Sequence, residues 1–377
     1  MRSSTRSEID PFIVMDVMEA ARTLEDAGRH IIHMEVGQPG TPAPKAARDA
    51  LVSAMGSEAL GYTVALGLPA LRQGIADLYQ DWYGVTLDPG RVIVTSGSSA
   101  GFILAFTALF DAGDKVGVTE PGYPSYRQIL KALDLEPVGI PTHVETRHVP
   151  DVPTGVQGLI AASPNNPTGT MLSRGDLGAL IASCQAQGVS FISDEIYHGV
   201  QYEDRAVSAL ELSDDVYVIN SFSKYFSMTG WRLGWLVVPE DHVRVVERLA
   251  QNMFICAPHA AQIAALGALN ARDETEAMCK VYAENRQLML DQLPSAGFDK
   301  IAPPDGAFYI YADVSDLTDD SRALAAEILE EAGVAVTPGL DFDPIRGDKT
   351  LRFSYARGTD DIREGLARLK AWRDARG

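Results

Sequence analysis

Residues 221–234 read Ser-Phe-Ser-Lys-Tyr-Phe-Ser-Met-Thr-Gly-Trp-Arg-Leu-Gly, with a single lysine, Lys224, among small hydroxylated residues in a segment that turns apolar. Upstream, Val216-Tyr217-Val218-Ile219-Asn220 is short, β-branched and aromatic, the composition of a buried strand. Downstream, Leu233-Gly234-Trp235-Leu236-Val237-Val238 has the same character and is stopped by Pro239. Lys224 therefore falls in the connection between two interior strands, where an ammonium group is costly unless it has a partner or a task. One task suits it. A desolvated amine sheds its proton and forms a Schiff base with a carbonyl. Ser221 and Ser223 before it, and Arg232 beyond it, are donors suited to a phosphate group. An aldehyde and a phosphate on one molecule describe pyridoxal phosphate. A loop lysine paired with a surface carboxylate is the plain alternative.

Working outward, short apolar runs at Val92–Thr95, Val116–Thr119, near 137, Gly158–Ala162 and Ser190–Ser193 join those near 216 and 232. With helical stretches between them, they make a seven-member set. That pattern predicts an α/β protein: a three-layer α/β/α large domain with a mostly parallel seven-stranded sheet, whose ligands come from strand-end loops. Helical periodicity marks 14–27, 46–55, 102–110, about 275–293 and 321–332, and strands are expected at 31–36, 304–311 and 351–356, with the stretch 334–339 between the last helix and the last strand. The domain reading is an N-terminal arm and part of a small domain over 1–44, a large domain over 45–285, and a small α+β domain completed by 286–377.

The strand ends carry the chemistry. Ser96–Gly101 is a glycine-containing strand-to-helix junction, a ready anion site in which Ser98, Ser99 and Ala100 would be the contacts. Tyr123 stands between Gly122 and Pro124, held stiffly with a flat face on offer. Ser163–Gly169 packs two prolines and two asparagines into a rigid turn with exposed amides. Asp194 closes an interior strand and needs a positive partner, which a protonated pyridine nitrogen would supply. Arg352 sits on an apolar strand, where it is either a sheet-edge arginine paired with an acid or a bidentate clamp for a carboxylate. His30 and His33 show no obvious partners and read as structural, as do Glu195 and His198.

These pieces, in this order from about Gly37 to Arg352, resemble the class I and II aminotransferases, the fold-type I pyridoxal phosphate enzymes. The segment around Lys224 looks like that family's lysine signature, Asn166-Pro167-Thr168-Gly169 like its N-P-T-G segment, and Gly306-Ala307-Phe308-Tyr309 like its G-A-F-Y segment. The resemblance implies that Lys224 holds the cofactor and moves the substrate's α-proton, while Asp194 keeps the pyridine nitrogen protonated. It implies that Asn166 and Tyr197 bind the phenolic oxygen, Tyr123 stacks on the ring opposite Ile196, Gly37 lies against the substrate and Arg352 clamps the α-carboxylate. Tyr62, in Y-T-x-x-x-G-x-x-x-L-R, would reach the phosphate of the neighbouring subunit, making a homodimer with shared active sites. The activity implied is transfer of an amino group from an L-amino acid to a 2-oxo acid such as 2-oxoglutarate or pyruvate. A lyase or decarboxylase on the same fold, and a vestigial ligand-sensing domain, are the alternatives.

Composition bounds the rest. Of 377 residues, 46% are apolar and 22% charged, ordinary for a globular enzyme, and no run of about eighteen apolar residues is present to span a membrane. A net charge of −19 argues against nucleic acid as partner. The three cysteines match no metal spacing or disulfide framework, and a reducing cytoplasm is the expected setting. No Lys or Arg lies in the 37–40 turn or the 96–101 loop to meet an acidic side chain. Neutral donors, aliphatic or aromatic, are therefore expected, with Phe12 and Ile13 covering the side chain. Arg127, Arg147 or an N-terminal arginine could still reach it.

Overall fold

The computed structural model describes residues 1–376. From the N-terminus it runs α1 (Ile13–Asp26), β1 (Ile32–His33), α2 (Lys45–Met55), α3 (Pro69–Tyr83), β2 (Val92–Thr95), α4 (Gly97–Leu109), β3 (Lys115–Glu120), α5 (Pro124–Ala132) and β4 (Glu136–Pro141). Next come β5 (Gly158–Ala162), α6 (Arg174–Gln187), β6 (Ser190–Asp194), β7 (Tyr217–Ser221), β8 (Gly234–Val237), α7 (Val243–Met253), α8 (His259–Ala268) and α9 (Arg272–Gln292). The chain ends with β9 (Lys300–Ile301), β10 (Tyr309–Asp313), α10 (Ser321–Ala332), β11 (Val334–Ala335), β12 (Thr337–Pro338), β13 (Thr350–Ser354) and α11 (Thr359–Asp374).

The seven expected strands form one sheet in the order β2-β8-β7-β6-β5-β3-β4. Only β8 runs against its neighbours, because it follows β7 without a crossover helix. Every residue of β2, β7 and β8 is buried, which is why these strands read as continuous apolar runs rather than alternating ones. Successive residues still divide between two cores. Val92, Val94, Val218 and Trp235 pack with α3, α6 and α8, whereas Ile93, Ile219 and Leu236 pack with α4, α5 and α7. The pairing register then aligns the strand ends. Thr95 lies opposite Gly234, Gly234 opposite Ser221, Asp194 opposite Ile219 and Ala162 opposite Asp194, so the loops that follow emerge along one edge.

A second sheet, β12-β13-β10-β9, is antiparallel throughout, and β1 pairs in parallel with β11. Here the sequence expectations need correction. The strand expected over 31–36 is only β1, because Met34 leaves the pairing to bridge two sheets: its N–H donates to Ala335 and its carbonyl accepts from Ser354. The stretch 334–339 holds two short strands in different sheets, β11 paired with β1 and β12 paired with β13. The helix expected from Phe102 starts at Gly97, whose φ of 78° opens the turn, so Ser98, Ser99 and Ala100 occupy its first turn rather than a preceding loop. His33 is not partnerless, since its two ring nitrogens meet Glu35 at 2.8 Å and Glu25 at 3.0 Å. The hydrogen bond to Glu35 raises its pKa to about 9. His30 likewise meets Arg368 at 2.9 Å. Among the described residues no helix is long and apolar enough to cross a membrane.

The layer of α2 on α8 depends on one glycine. A Cβ on Gly267 would lie 2.3 Å from the Ala46 carbonyl oxygen, a backbone atom that cannot turn aside. Gly178, inside α6, has nothing within 4 Å of its would-be Cβ. Gly267→Ala is therefore expected to destabilise by about 1–3 kcal/mol through overpacking. Gly178→Ala should be neutral or stabilise by up to about 1 kcal/mol through helix propensity. Thermal unfolding of the two variants checks both signs.

Candidate active site

Lys224 follows β7 in a loop bound into itself. The Ser223 N–H donates to Ser221 Oγ at 3.0 Å, and Ser221 Oγ donates towards Ser223 Oγ at 2.8 Å and the Leu233 carbonyl at 3.1 Å. Lys224 Nζ donates to the Gly37 carbonyl at 2.6 Å and lies 5.4 and 5.8 Å from the rings of Tyr197 and Phe308. It forms no ion pair with any described residue, so the alternative of a lysine paired with a surface carboxylate does not hold. Burial, reinforced by the Arg352 guanidinium and outweighing the pull of Asp194, lowers its pKa to about 7.

Asp194 ends β6, only 2% exposed. The Tyr126 hydroxyl donates to its Oδ2, and the Ile196 N–H donates to its Oδ1 at 3.1 Å. Burial raises its pKa to about 6 despite these two donors. It too lacks an ion-pair partner among the described residues.

Arg352 lies on β13, 3% exposed. Its Nη1 donates to Asn166 Oδ1 at 2.9 Å, and its Nη2 donates to the Glu35 carbonyl and to Thr337 Oγ1. The guanidinium is sandwiched 4.4 Å from the Tyr309 ring and 4.6 Å from that of Phe342. Its Nε is buried with no partner among the described residues. No acid among the described residues pairs with it, which removes the sheet-edge alternative. The Tyr197 hydroxyl, after β6, lies 2.6 Å from that of Tyr309.

The remaining candidates gather at the α4 end. Ser96 offers no side-chain cap, so the first-turn N–H groups keep their capacity. A Cβ on Gly97 would lie 2.4 Å from Arg232 Nη2, which puts that guanidinium directly over the helix start. Arg232 itself adopts φ 54°, a left-handed conformation that aims it there. One on Gly234 would lie 3.0 Å from the Ser98 nitrogen. Ser98, Ala100, Ser221, Ser223 and Arg232 therefore share one corner. Ser99 turns towards the groove beside Phe12 and Ile103. Tyr123 caps α5 edge-on to Tyr126, their centroids 5.3 Å apart.

Gly37 lies at the site, its carbonyl accepting from Lys224 Nζ at 2.6 Å. The space above it is taken by the Tyr309 hydroxyl, 1.7 Å from where a Cβ would stand, so the missing side chain admits a tyrosine of the same chain. Tyr62 does not join the site within one chain, being 83% exposed near Cys256 and His259. Tyr126, Tyr309, Thr337 and Phe342 were not anticipated. Tyr126 sits three residues after Tyr123 in a helix opened by Pro124, and Tyr309 closes the G-A-F-Y segment, but neither position by itself gave a role for the hydroxyl.

These groups fit pyridoxal phosphate. An unpaired buried carboxylate could face a ring N–H⁺, a deprotonatable amine its aldehyde, and a helix start with an arginine and serines its phosphate. Residues 29–369 match the family model for aminotransferase class I and II. The valine–pyruvate aminotransferase of Mycobacterium tuberculosis is 45% identical over 381 residues, 98% of each chain. An aspartate aminotransferase of Pyrococcus horikoshii is 30% identical over 370 residues, 95% of this chain and 93% of that one. The crystal structure of a Silicibacter pomeroyi protein, described as a candidate aminotransferase, superposes with a TM-score of 0.95 at 67% identity and covers both chains fully. The chain belongs to the class I and II aminotransferases, and it is a pyridoxal 5′-phosphate-dependent transaminase acting on amino acids and 2-oxo acids.

Proposed function

We propose that this transaminase takes neutral L-amino acids, aliphatic or aromatic, as donors and a 2-oxo acid such as pyruvate or 2-oxoglutarate as acceptor. The observation that carries this reading is the state of the spare cations. The Arg127 guanidinium is engaged by the carbonyls of Asp341 and Phe342 at 3.0 and 3.2 Å, and Arg147 is paired with Asp305 at 2.5 Å. Neither is free to meet an acidic side chain. The surroundings are aromatic instead, with Phe12 edge-on to Tyr123 at 6.1 Å. The name of the Mycobacterium tuberculosis relative agrees with a neutral pair.

Pyridoxal phosphate, when bound, supplies the electron sink that makes the amino acid's α-hydrogen acidic. The roles of the chain's own residues follow from their settings. Lys224 would hold the cofactor, and its Nζ, with a pKa lowered to about 7, would take up the α-proton as general base and deliver it as general acid to the cofactor carbon bonded to the amino nitrogen. Asp194, steadied by Tyr126 and the Ile196 N–H, would keep the ring nitrogen protonated. Asn166 and Tyr197 would donate to the phenolic oxygen, and Tyr123 would offer its ring as a platform. Ser98, Ala100, Ser221, Ser223 and Arg232 would hold the phosphate, with Ser99 contributing through its first-turn N–H rather than its side chain. The α-carboxylate takes the unpartnered Nε of Arg352 and fixes the substrate's orientation.

Two further parts belong to this reading. Tyr62 reaches the phosphate site of a second copy, and its exposure, shared with Val64, Met253 and Ile255, supports a homodimer with shared sites. The division into 1–44, 45–285 and 286–377 places Lys224 and Asp194 on one body and Arg352 on the other.

Three outcomes are expected. Cofactor-free protein mixed with pyridoxal phosphate should regain its absorption band at a rate that follows the neutral amine. The rate is low below pH 6, half-maximal near pH 7 and level above pH 8. A rate still climbing beyond pH 9 would put Lys224 in the ordinary lysine range. Arg352→Lys, which loses the planar guanidinium and its Nε donor, should raise KM for donor and acceptor roughly 10- to 100-fold, as for about 1.5–3 kcal/mol in a charge-assisted hydrogen bond. Single-turnover spectra with a panel of amino acids should rank valine, leucine and phenylalanine well above aspartate, with the 2-oxo acid as product. Aspartate as best donor defeats the substrate reading, and release of ammonia or carbon dioxide moves the chemistry to lyase or decarboxylase.

A further inference from the structure

Tyr309 begins β10 and is buried, and no role given so far employs its hydroxyl. That oxygen lies 2.6 Å from Tyr197 Oη and has no other hydrogen-bond partner among the described residues. The approach is specified elsewhere in the chain. A Cβ at position 37 would stand 1.7 Å from the same oxygen, so a glycine there is a condition for the contact. The Tyr309 ring is fixed too, edge-on to Tyr197 with centroids 5.7 Å apart and with the Arg352 guanidinium over its face.

A phenol has one proton to give and lone pairs to receive. Within the chain alone, either hydroxyl of this pair can be the donor. Once Tyr197 gives its proton to the cofactor's phenolic oxygen, the pair keeps its hydrogen bond only if Tyr309 donates. We propose that Tyr309 is a positioning residue that donates its hydroxyl to Tyr197 and thereby strengthens Tyr197 as a donor to the phenolic oxygen. This rests on the role given to Tyr197 above. Hydrogen bonds in series polarise one another in a dry site, and this one stabilises the negative phenolic oxygen.

Other charged or titratable groups also face Tyr197. Arg352 approaches from β13, Tyr123 from the start of α5, Lys224 from the loop after β7, and Asp194 lies on its own segment. Tyr309→Phe leaves all of them in place and keeps the ring under Arg352, so it isolates the hydroxyl.

The test is a pH titration of the holoenzyme, following the absorption of the bound cofactor in the wild type, Tyr309→Phe, Tyr197→Phe and the double variant. Weaker donation to the phenolic oxygen makes the lysine–cofactor linkage hold its proton to higher pH. Tyr309→Phe should therefore raise the midpoint by roughly 0.2–0.6 of a pH unit, the fraction of a charge-assisted hydrogen bond that cooperativity supplies. Tyr197→Phe should raise it further, and the double variant should coincide with Tyr197→Phe. A shift in Tyr197→Phe with none in Tyr309→Phe overturns the inference and leaves the role of Tyr197 standing. Shifts that add in the double variant overturn it as well, since Tyr309 would then act independently. No shift in Tyr197→Phe removes the role of Tyr197 and the inference with it.

Discussion

An amine that must react as a free base near neutral pH has to be kept dry, and most of this structure can be understood from that constraint on Lys224. Two forces compete at its Nζ. Asp194 favours the ammonium form, while burial and the guanidiniums of Arg352 and Arg232 oppose it, and the opposition wins by enough to bring the pKa to about 7. The same dryness works in the reverse sense on Asp194, whose pKa rises to about 6. Neither group could be held so far from its ordinary state on a mobile loop, because a loop would open and hydrate it. The sheet prevents this: β6 and β7, which deliver the two residues, are covered on both faces and locked in register at Asp194 and Ile219.

Arg352 ties the second sheet to the first. Its Nη groups bond to Asn166 on a loop of the large sheet, to the Glu35 carbonyl on the N-terminal segment and to Thr337 on its neighbouring strand. Two aromatic faces take up the rest of its surface. Of its five N–H groups, one on Nη1 and the one on Nε are left over, and the buried Nε has no partner among the described residues. Leaving a buried donor of a charged group unmade costs about 1–3 kcal/mol or more, and that cost is returned when a carboxylate arrives. Part of the binding energy for any amino or oxo acid is thus stored in the protein beforehand, at the atom where both substrates look alike.

The features legible in the sequence were those written locally. Apolar runs ending in Gly, Pro and Asn gave all seven strands of the large sheet, since a strand covered on both faces needs no alternation to be recognised. Lys224 and Asp194 stood out because a charge at the end of such a run demands a reason. Tyr309 did not, because its hydroxyl acquires meaning only from the absence of a side chain at Gly37, on a distant segment. Tyr126 is similar, being an unremarkable helical tyrosine until β6 brings Asp194 beside it. The 31–36 strand was overextended because Met34 divides its hydrogen bonds between Ala335 and Ser354, two partners from the far end of the chain. The histidine partners were nearer to hand. Glu35 lies two residues from His33, on the same side of an extended segment, which spacing alone can suggest.

The segment that holds Arg352 also anchors the N-terminal arm, and this bears on selectivity. The Asp341 carboxylate accepts from the N–H groups of Ile13 and Val14 at the start of α1, at 3.1 and 3.3 Å, and the next residue, Phe342, lies under the arginine. Phe12 is thereby fixed against Tyr123. On the proposed reading, a neutral side chain meets this apolar cover with no second cation to satisfy. Burying one more methylene is worth about 0.8 kcal/mol, a weak basis for telling one aliphatic donor from the next. A carboxylate side chain in the same place would be buried without a partner, at a cost of several kcal/mol. On that reading the same architecture would discriminate poorly among neutral donors and strongly against acidic ones, because dispersion and area are graded whereas an unpaired charge is not.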